Sequence, residues 1–194
     1  STAPSASCQT QTSCSAGSYS APGASECSSC AIRTYQGETG QSSCALADAG
    51  SFVQADGASE QTACDAGKYS GSGASECVDC EAGTYQDATG QSSCALADAG
   101  SFVDAIGASE QTACDAGKYS GSAASACLEC AAAKYADEEG SSDCKLAEAG
   151  SFVASTGASS STTCTAGSYS ATASSECTTC EVGTYSTEGS DTCT

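Results

Sequence analysis

Cys80-Glu-Ala-Gly-Thr-Tyr-Gln-Asp-Ala-Thr-Gly-Gln-Ser-Ser-Cys94 opens and closes on a cysteine, with Gly83 and Tyr85 early in the loop and Gly90 four residues before its end. Variants of this stretch fill almost the whole chain. One aromatic marks each copy: Tyr19, Tyr35, Phe52, Tyr69, Tyr85, Phe102, Tyr119, Tyr135, Phe152, Tyr169 and Tyr185, always 16 or 17 residues apart. No aromatic lies outside the series. Self-similarity at a fixed short period marks a repeat architecture.

The composition excludes an ordinary globular core. The 194 residues include 17 cysteines and no Trp, Met or His, and Ser, Ala, Gly and Thr dominate. That cysteine density belongs to an oxidising compartment, where disulfides staple folds too poor in apolar side chains to hold themselves together. The chain therefore reads as secreted or cell-surface, hence extracellular. With no Asn, it has no N-glycosylation acceptor. The balance of 24 acidic against 5 basic residues, a formal charge of −19, repels nucleic acid, so no nucleic-acid partner is expected. The acids act first as solubilising charge on a thin, exposed chain. Asp48, Asp65, Glu76, Asp79 and Glu81 leave weak calcium binding as the sharper reading, but no segment carries the alternating acidic loop with a distal Glu of a dedicated calcium site. No specific metal site is expected. There is no apolar run long enough to span a bilayer, no signal-peptide core and no hydrophobic tail of the lipid-anchor type after Thr194; secretion implies a leader, so the chain reads as a mature product or a segment.

In chain order the units fall into three types with a super-period of 50 residues. C-type units open at Cys14, Cys64, Cys114 and Cys164; A-type at Cys30, Cys80, Cys130 and Cys180; B-type at Ala47, Ala97 and Ala147. This gives an N-terminal segment 1–13, full repeats 14–63, 64–113 and 114–163, and a partial repeat 164–194. The B units constrain the cysteine pairing. Where other units open on cysteine they have Ala47, Ala97 or Ala147, and where others close on cysteine they have Gln61, Gln111 or Ser161. Opening and closing cysteines vanish together three times, as expected if they bond to each other. The expected bridges are Cys14–Cys27, Cys30–Cys44, Cys64–Cys77, Cys80–Cys94, Cys114–Cys127, Cys130–Cys144, Cys164–Cys177 and Cys180–Cys193. In the loop-entropy treatment each contributes about 3 kcal/mol. Cys8 is left over; an odd cysteine in a secreted chain reads either as an inter-chain bond or as a free thiol or truncated first bridge.

B units gain apolar side chains as they lose a bridge: Leu46, Phe52 and Val53 recur as Leu96, Phe102 and Val103, then as Leu146, Phe152 and Val153. Burying Leu and Val, at roughly 1.5–3 kcal/mol each, is expected to offset the missing disulfide. Each unit reads as a short irregular β-hairpin. Its first arm is Gly-Thr-Tyr-Gln or Gly-Ser-Phe-Val, a turn with Gly follows, and a polar arm ends at the closing position. Gly stands two residues before the aromatic in every unit except those with Arg33 and Ala133. Glu129–Glu139 has helix propensity, yet its register matches Asp79–Thr89 one super-period earlier, so it is read as β-like. The fold class is mainly β and disulfide-rich: eleven short stacked hairpins in an elongated rod, with no large core and little or no helix. At two strand spacings per unit, roughly 9–10 Å, the rod would be on the order of 100 Å long. The aromatic is expected to be the unit's minimal core, one ring packed on the neighbouring disulfide; a stacking platform for sugars or a partner is the alternative.

The motif C-x-x-C-x-x-G-T-Y-x-x-x-x-G-x-x-x-C, best carried by residues 77–94, resembles the ephrin-receptor-like cysteine-rich repeat, related in style to the cysteine-rich modules of tumour necrosis factor receptors. The resemblance covers residues 14–194. It implies rod-like extracellular modules, often in long arrays on protist surface proteins, and no catalysis. Two departures weaken the transfer of receptor function: Glu or Ala replaces the Pro that usually follows C-x-x-C, and every third unit lacks its bridge.

No enzyme is expected, and no catalytic residue or cofactor: without His the common acid–base and triad arrangements are missing. Four C-x-x-C pairs in a hairpin array fit neither a redox motif nor a four-ligand zinc site. The leading functional expectation is a structural subunit of an extracellular filament, appendage or surface coat that self-associates head to tail. Residues 1–13 would form the inter-chain joint, because the chain starts where a B unit should end and stops where one should begin. Ser159–Thr163 and Thr172–Ser175 are candidates for O-glycans. The alternative is a receptor ectodomain or adhesin stalk that binds a protein or glycan.

Overall fold

The computed structural model describes residues 13–194. Each of the first ten aromatics ends a two-residue strand that pairs antiparallel with a second two-residue strand. Ser18–Tyr19 pairs with Ser28–Ser29, Thr34–Tyr35 with Ala45–Leu46, and Ser51–Phe52 with Thr62–Ala63. The series runs on to Ser168–Tyr169 with Thr178–Thr179, and every hairpin is its own two-stranded sheet. Tyr185 makes the corresponding exchange with Thr194, each N–H donating to the other's carbonyl at 2.9 Å. The described residues contain no helix; Leu128–Glu129 and Lys134–Tyr135 are strands despite their helix-forming neighbours. Loops this short, punctuated by left-handed residues, leave no run on which a helical turn could propagate.

One arm lies elsewhere than the sequence suggests. The second strand begins just after the closing position instead of ending there. Tyr69 faces Val78, the residue after Cys77, and the strand Val78–Asp79 is the interior of a C-x-x-C. The closing cysteine is therefore the last loop residue, and the dipeptide between two cysteines carries the ladder.

The first arm is aimed by a tight turn. The Thr84 N–H donates to the Glu81 carbonyl at 3.0 Å and its Oγ1 donates to the same oxygen at 2.7 Å. Gly83 occupies the third position with φ +85°, as type II turns require. A Cβ on Gly83 would stand 2.5 Å from the Ala123 carbonyl oxygen, two units along the chain. At Gly50 and Gly100 the corresponding carbonyls of Gly90 and Gly140 come closer still. The two exceptions keep the same conformation: Arg33 has φ 77° and Ala133 φ 70°. Both belong to A-type units, as does Gly83, where the approach is loosest among these. Left-handed backbone is thus maintained even where the residue type opposes it.

By contacts the chain forms two compact bodies. One comprises the described residues up to Asp79 with Ala88–Ser93; the other comprises Cys80–Asp87 with Cys94–Thr194. The interior of each is narrow and follows the opening positions of the units, Cys180 of the last unit excepted. In the first body Cys14, Cys30, Ala47 and Cys64 are buried, joined by Val53 and Ser70. In the second, Cys80, Ala97, Cys114, Cys130, Ala147 and Cys164 are buried, with Val103, Ser120, Ala136, Val153, Ser170 and Ser186 from the position after the aromatic. The rings are not this core. Those up to Tyr169 are half-buried, and Tyr185 is 69% exposed. A ring standing on a two-residue strand cannot be covered by units whose other side chains are mostly Ser, Ala and Gly. The closely packed sulfurs and small side chains take the centre instead.

Candidate functional site

The chain's distinctive chemistry is how each hairpin is locked and how one hairpin joins the next. Among the described residues eight locks are covalent: the structure bonds Cys14–Cys27, Cys30–Cys44, Cys64–Cys77, Cys80–Cys94, Cys114–Cys127, Cys130–Cys144, Cys164–Cys177 and Cys180–Cys193. Each closes a loop of 13 or 14 residues with Cα atoms 5.7–5.8 Å apart. The opening cysteines are buried except Cys180, which is half-buried, and no closing cysteine is buried. Cys8 lies outside the described residues, as does the rest of 1–12.

The first two B units carry a lock of another kind. Gln61, at the closing position, accepts a hydrogen bond from the Asp48 N–H on Oε1 at 2.6 Å and donates from Nε2 to Asp48 Oδ2 at 2.6 Å. Gln111 does the same to Asp98, at 2.7 and 2.6 Å. The side-chain amide thus spans the gap that a disulfide spans elsewhere, from the same closing position to the residue beside the opening one. No such pair joins Ser161 to Glu148 among the described residues. Sequence reasoning saw Gln61 only as a missing cysteine; the signal lay in Asp following Ala at both 47–48 and 97–98 and changing to Glu where Gln becomes Ser.

The apolar substitutions contribute unequally. Val53, Val103 and Val153 are 3–4% exposed, so these side chains do strengthen the B units. Leu46, Leu96 and Leu146 do not: they are 59%, 58% and 46% exposed and belong to the second strand of the preceding A-type hairpin. Leu46 reaches instead toward the turn at Gly73, where a Cβ would lie 3.3 Å from its Cδ2.

Successive hairpins meet through backbone. Arg33 N–H donates to Val53 O at 2.9 Å, Gln36 N–H to Ala58 O at 3.1 Å and Gly57 N–H to Cys30 O at 2.7 Å. In the second body Ala133, Ala136 and Gly157 donate to Val153, Ala158 and Cys130 at 2.8, 3.2 and 2.8 Å. The next junction repeats likewise: Gly50, Val53 and Gly73 to Ser70, Ala74 and Ala47, and Gly100, Val103 and Ala123 to Ser120, Ala124 and Ala97. Buried serines add a side-chain tie, with Ser70 Oγ donating to Ser51 O at 2.9 Å and Ser120 Oγ to Ser101 O at 2.8 Å. No buried side-chain N or O among the described residues lacks a partner.

The charged surface is sparsely paired. Lys68 meets Asp79 at 2.7 Å, Lys118 meets Asp115 at 3.3 Å and Lys145 meets Asp137 at 2.8 Å. The hydrogen bond to Asp79 holds the Lys68 ammonium above its usual pKa, and the one between Lys145 and Asp137 raises the lysine and lowers the carboxyl. Among the described residues no group of three or more His, Cys, Asp or Glu side chains gathers as a metal would need, and no helix is long and apolar enough to cross a membrane. An open groove of about 420 Å³ beside Tyr169, Thr178, Thr179, Thr184 and Thr192 brings in one carboxylate, that of Glu181.

These features define a class: a disulfide-rich β-hairpin repeat protein of the extracellular type. Residues 17–64 and 67–114 match the family described as tyrosine-protein kinase ephrin type A/B receptor-like, so these two tandem stretches are cysteine-rich repeats similar to that family. No curated protein matches the chain.

Proposed function

We propose that the chain is a structural segment of an extracellular filament, appendage or surface coat, built from disulfide-stapled units that follow one another head to tail. The repeated junction is the observation that most supports this reading. The same three donors and acceptors recur two super-periods apart, at Arg33, Gln36 and Gly57 and again at Ala133, Ala136 and Gly157. A junction made by backbone groups asks little of side chains and can be copied many times. Contacts of this heterologous kind, when they do not close on themselves, extend into linear assemblies. Residues 1–13 would serve as the joint between chains, with Cys8 available for an inter-chain bond. Exposed hydroxyls at 159–160, 162–163, 172 and 175 would carry O-glycans, and the acidic surface would take calcium weakly. Light scattering and negative-stain imaging of native material across a concentration series test the assembly. The expected result is linear multimers that lengthen with concentration; a monomer at every concentration contradicts it.

A second reading is favoured by the family match: a protein-interaction module, acting as the ectodomain or adhesin stalk of a larger protein. It predicts a monomer that binds one protein or glycan saturably.

A further inference from the structure

We infer that the B-type units are extensible elements that yield under tension in a graded order, with the unit 147–163 yielding first. In a disulfide-closed unit, tension crosses the sulfur–sulfur bond and bypasses the 13- or 14-residue loop, which cannot be drawn out. The B units have no such bypass. In 47–63 and 97–113 the loop is held by the paired hydrogen bonds of Gln61 to Asp48 and of Gln111 to Asp98. Those bonds are noncovalent and open to solvent at the Asp, so they break long before a covalent bridge does. In 147–163 Ser161 ends two carbons short of where a glutamine carries its amide, and residue 148 is the longer Glu. No side-chain hydrogen bond spans that gap among the described residues. The strand pairing of Ser151–Phe152 with Thr162–Thr163, the local turn, the buried Val153 and the junctions to neighbours hold it, with no side-chain clamp added.

Releasing one B loop between its lock positions frees about 40 Å of chain, from the extended reach per residue. A chain with disulfide units interspersed by such loops lengthens in discrete steps while most of it stays folded. The covalent units set where it cannot stretch, and the residue at the closing position of each B unit sets the force at which it does.

Single oxidised chains tethered at both ends and pulled at constant velocity test this. The outcome does not depend on whether chains associate, so it stands or falls separately from filament assembly. The expected record has three increments of about 40 Å, one of them at lower force than the other two. In Glu148→Asp/Ser161→Gln the low-force increment moves up to join the others; in Gln61→Ala/Gln111→Ala all three fall to low force. An unchanged low-force increment in Glu148→Asp/Ser161→Gln, or no increments of this size in the oxidised chain, overturns the inference. Native-state hydrogen exchange gives a force-free readout: amides of 147–163 exchange at least about fivefold faster than the matching amides of 47–63, and equal rates overturn it.

Discussion

Gln61 and Asp48 stand at the two ends of a loop that has no disulfide, and the glutamine side chain both accepts from the Asp48 N–H and donates to its carboxylate, each at 2.6 Å. A two-point hydrogen bond occupies the place of a covalent bond. Its orientation explains why glutamine sits there: its amide carries an acceptor oxygen and a donor nitrogen on separate atoms, one for the Asp48 N–H and one for the Asp48 carboxylate.

Gln61→Ala removes both bonds and leaves the Asp48 N–H to water. The expected loss is about 1 kcal/mol, because the site is only half-buried. The check is hydrogen exchange at Asp48, roughly fivefold faster in the variant, with amides of the C-type unit at 64–79 unchanged.

Gly100→Ala and Gly83→Ala test the close approach between units two apart. Each places a Cβ on a left-handed residue against a backbone carbonyl, and each is expected to lower stability by about 1–3 kcal/mol, Gly100→Ala more. Gly71→Ala, which meets no atom within 4 Å and has no left-handed requirement, is expected to be neutral. In the opposite direction, Arg33→Gly removes the strain at φ 77° and is expected to raise stability by up to about 1 kcal/mol. Denaturant melts of the four variants order them.

Val53→Ala and Leu46→Ala separate the two apolar substitutions of the B units. Val53 is 4% exposed, so deleting its methyls should cost about 1.5 kcal/mol. Leu46 is 59% exposed, and its truncation should change stability by less than about 0.5 kcal/mol. Equal effects in thermal melts would place the core on the wrong side of the hairpin.

The Asp137 carboxyl titrates below the ordinary carboxylate range because Lys145 donates a hydrogen bond to its charged form. A depressed pKa contributes stability that is present above the unfolded value and is lost as pH falls through the folded one. For Lys145, raised by the same partner, the contribution is present below the unfolded lysine value and is lost as pH rises through the folded one. Carboxyl NMR titration should show Asp137 moving up to the usual range in Lys145→Ala, and doing so partly in wild type at high salt.

Much of the fold was legible because it is written many times over. The spacing of Tyr85 and its ten counterparts marks the unit, and the alternation of cysteine with small residues points to short hairpins over a missing core. Three things were hidden. The rings look like the core because they are the largest side chains, but a core needs enclosure as well as size, and two-residue strands cannot enclose a ring; Cys80 and Ala97 can be enclosed. Leu46 looks like a partner of Val53 because it is close in sequence, but it lies across a hairpin boundary that the placement of the second strand alone reveals. The Gln61–Asp48 clamp was missed because a residue standing where cysteine should be draws attention to the loss and away from its own hydrogen-bonding groups. The left-handed turn at Arg33 was half-visible: glycine in the sister units marks the conformation, and only the backbone shows that arginine keeps it.

The central claim is that, among the described residues, every covalent lock closes within one hairpin and none crosses between hairpins or reaches the B-type units. Peptide mapping of the unreduced chain by mass spectrometry tests it most directly. The account predicts eight linked pairs, each spanning 13 or 14 residues, from Cys14–Cys27 to Cys180–Cys193. A single linked pair joining two units, such as Cys44 with Cys64 or Cys94 with Cys114, would contradict it.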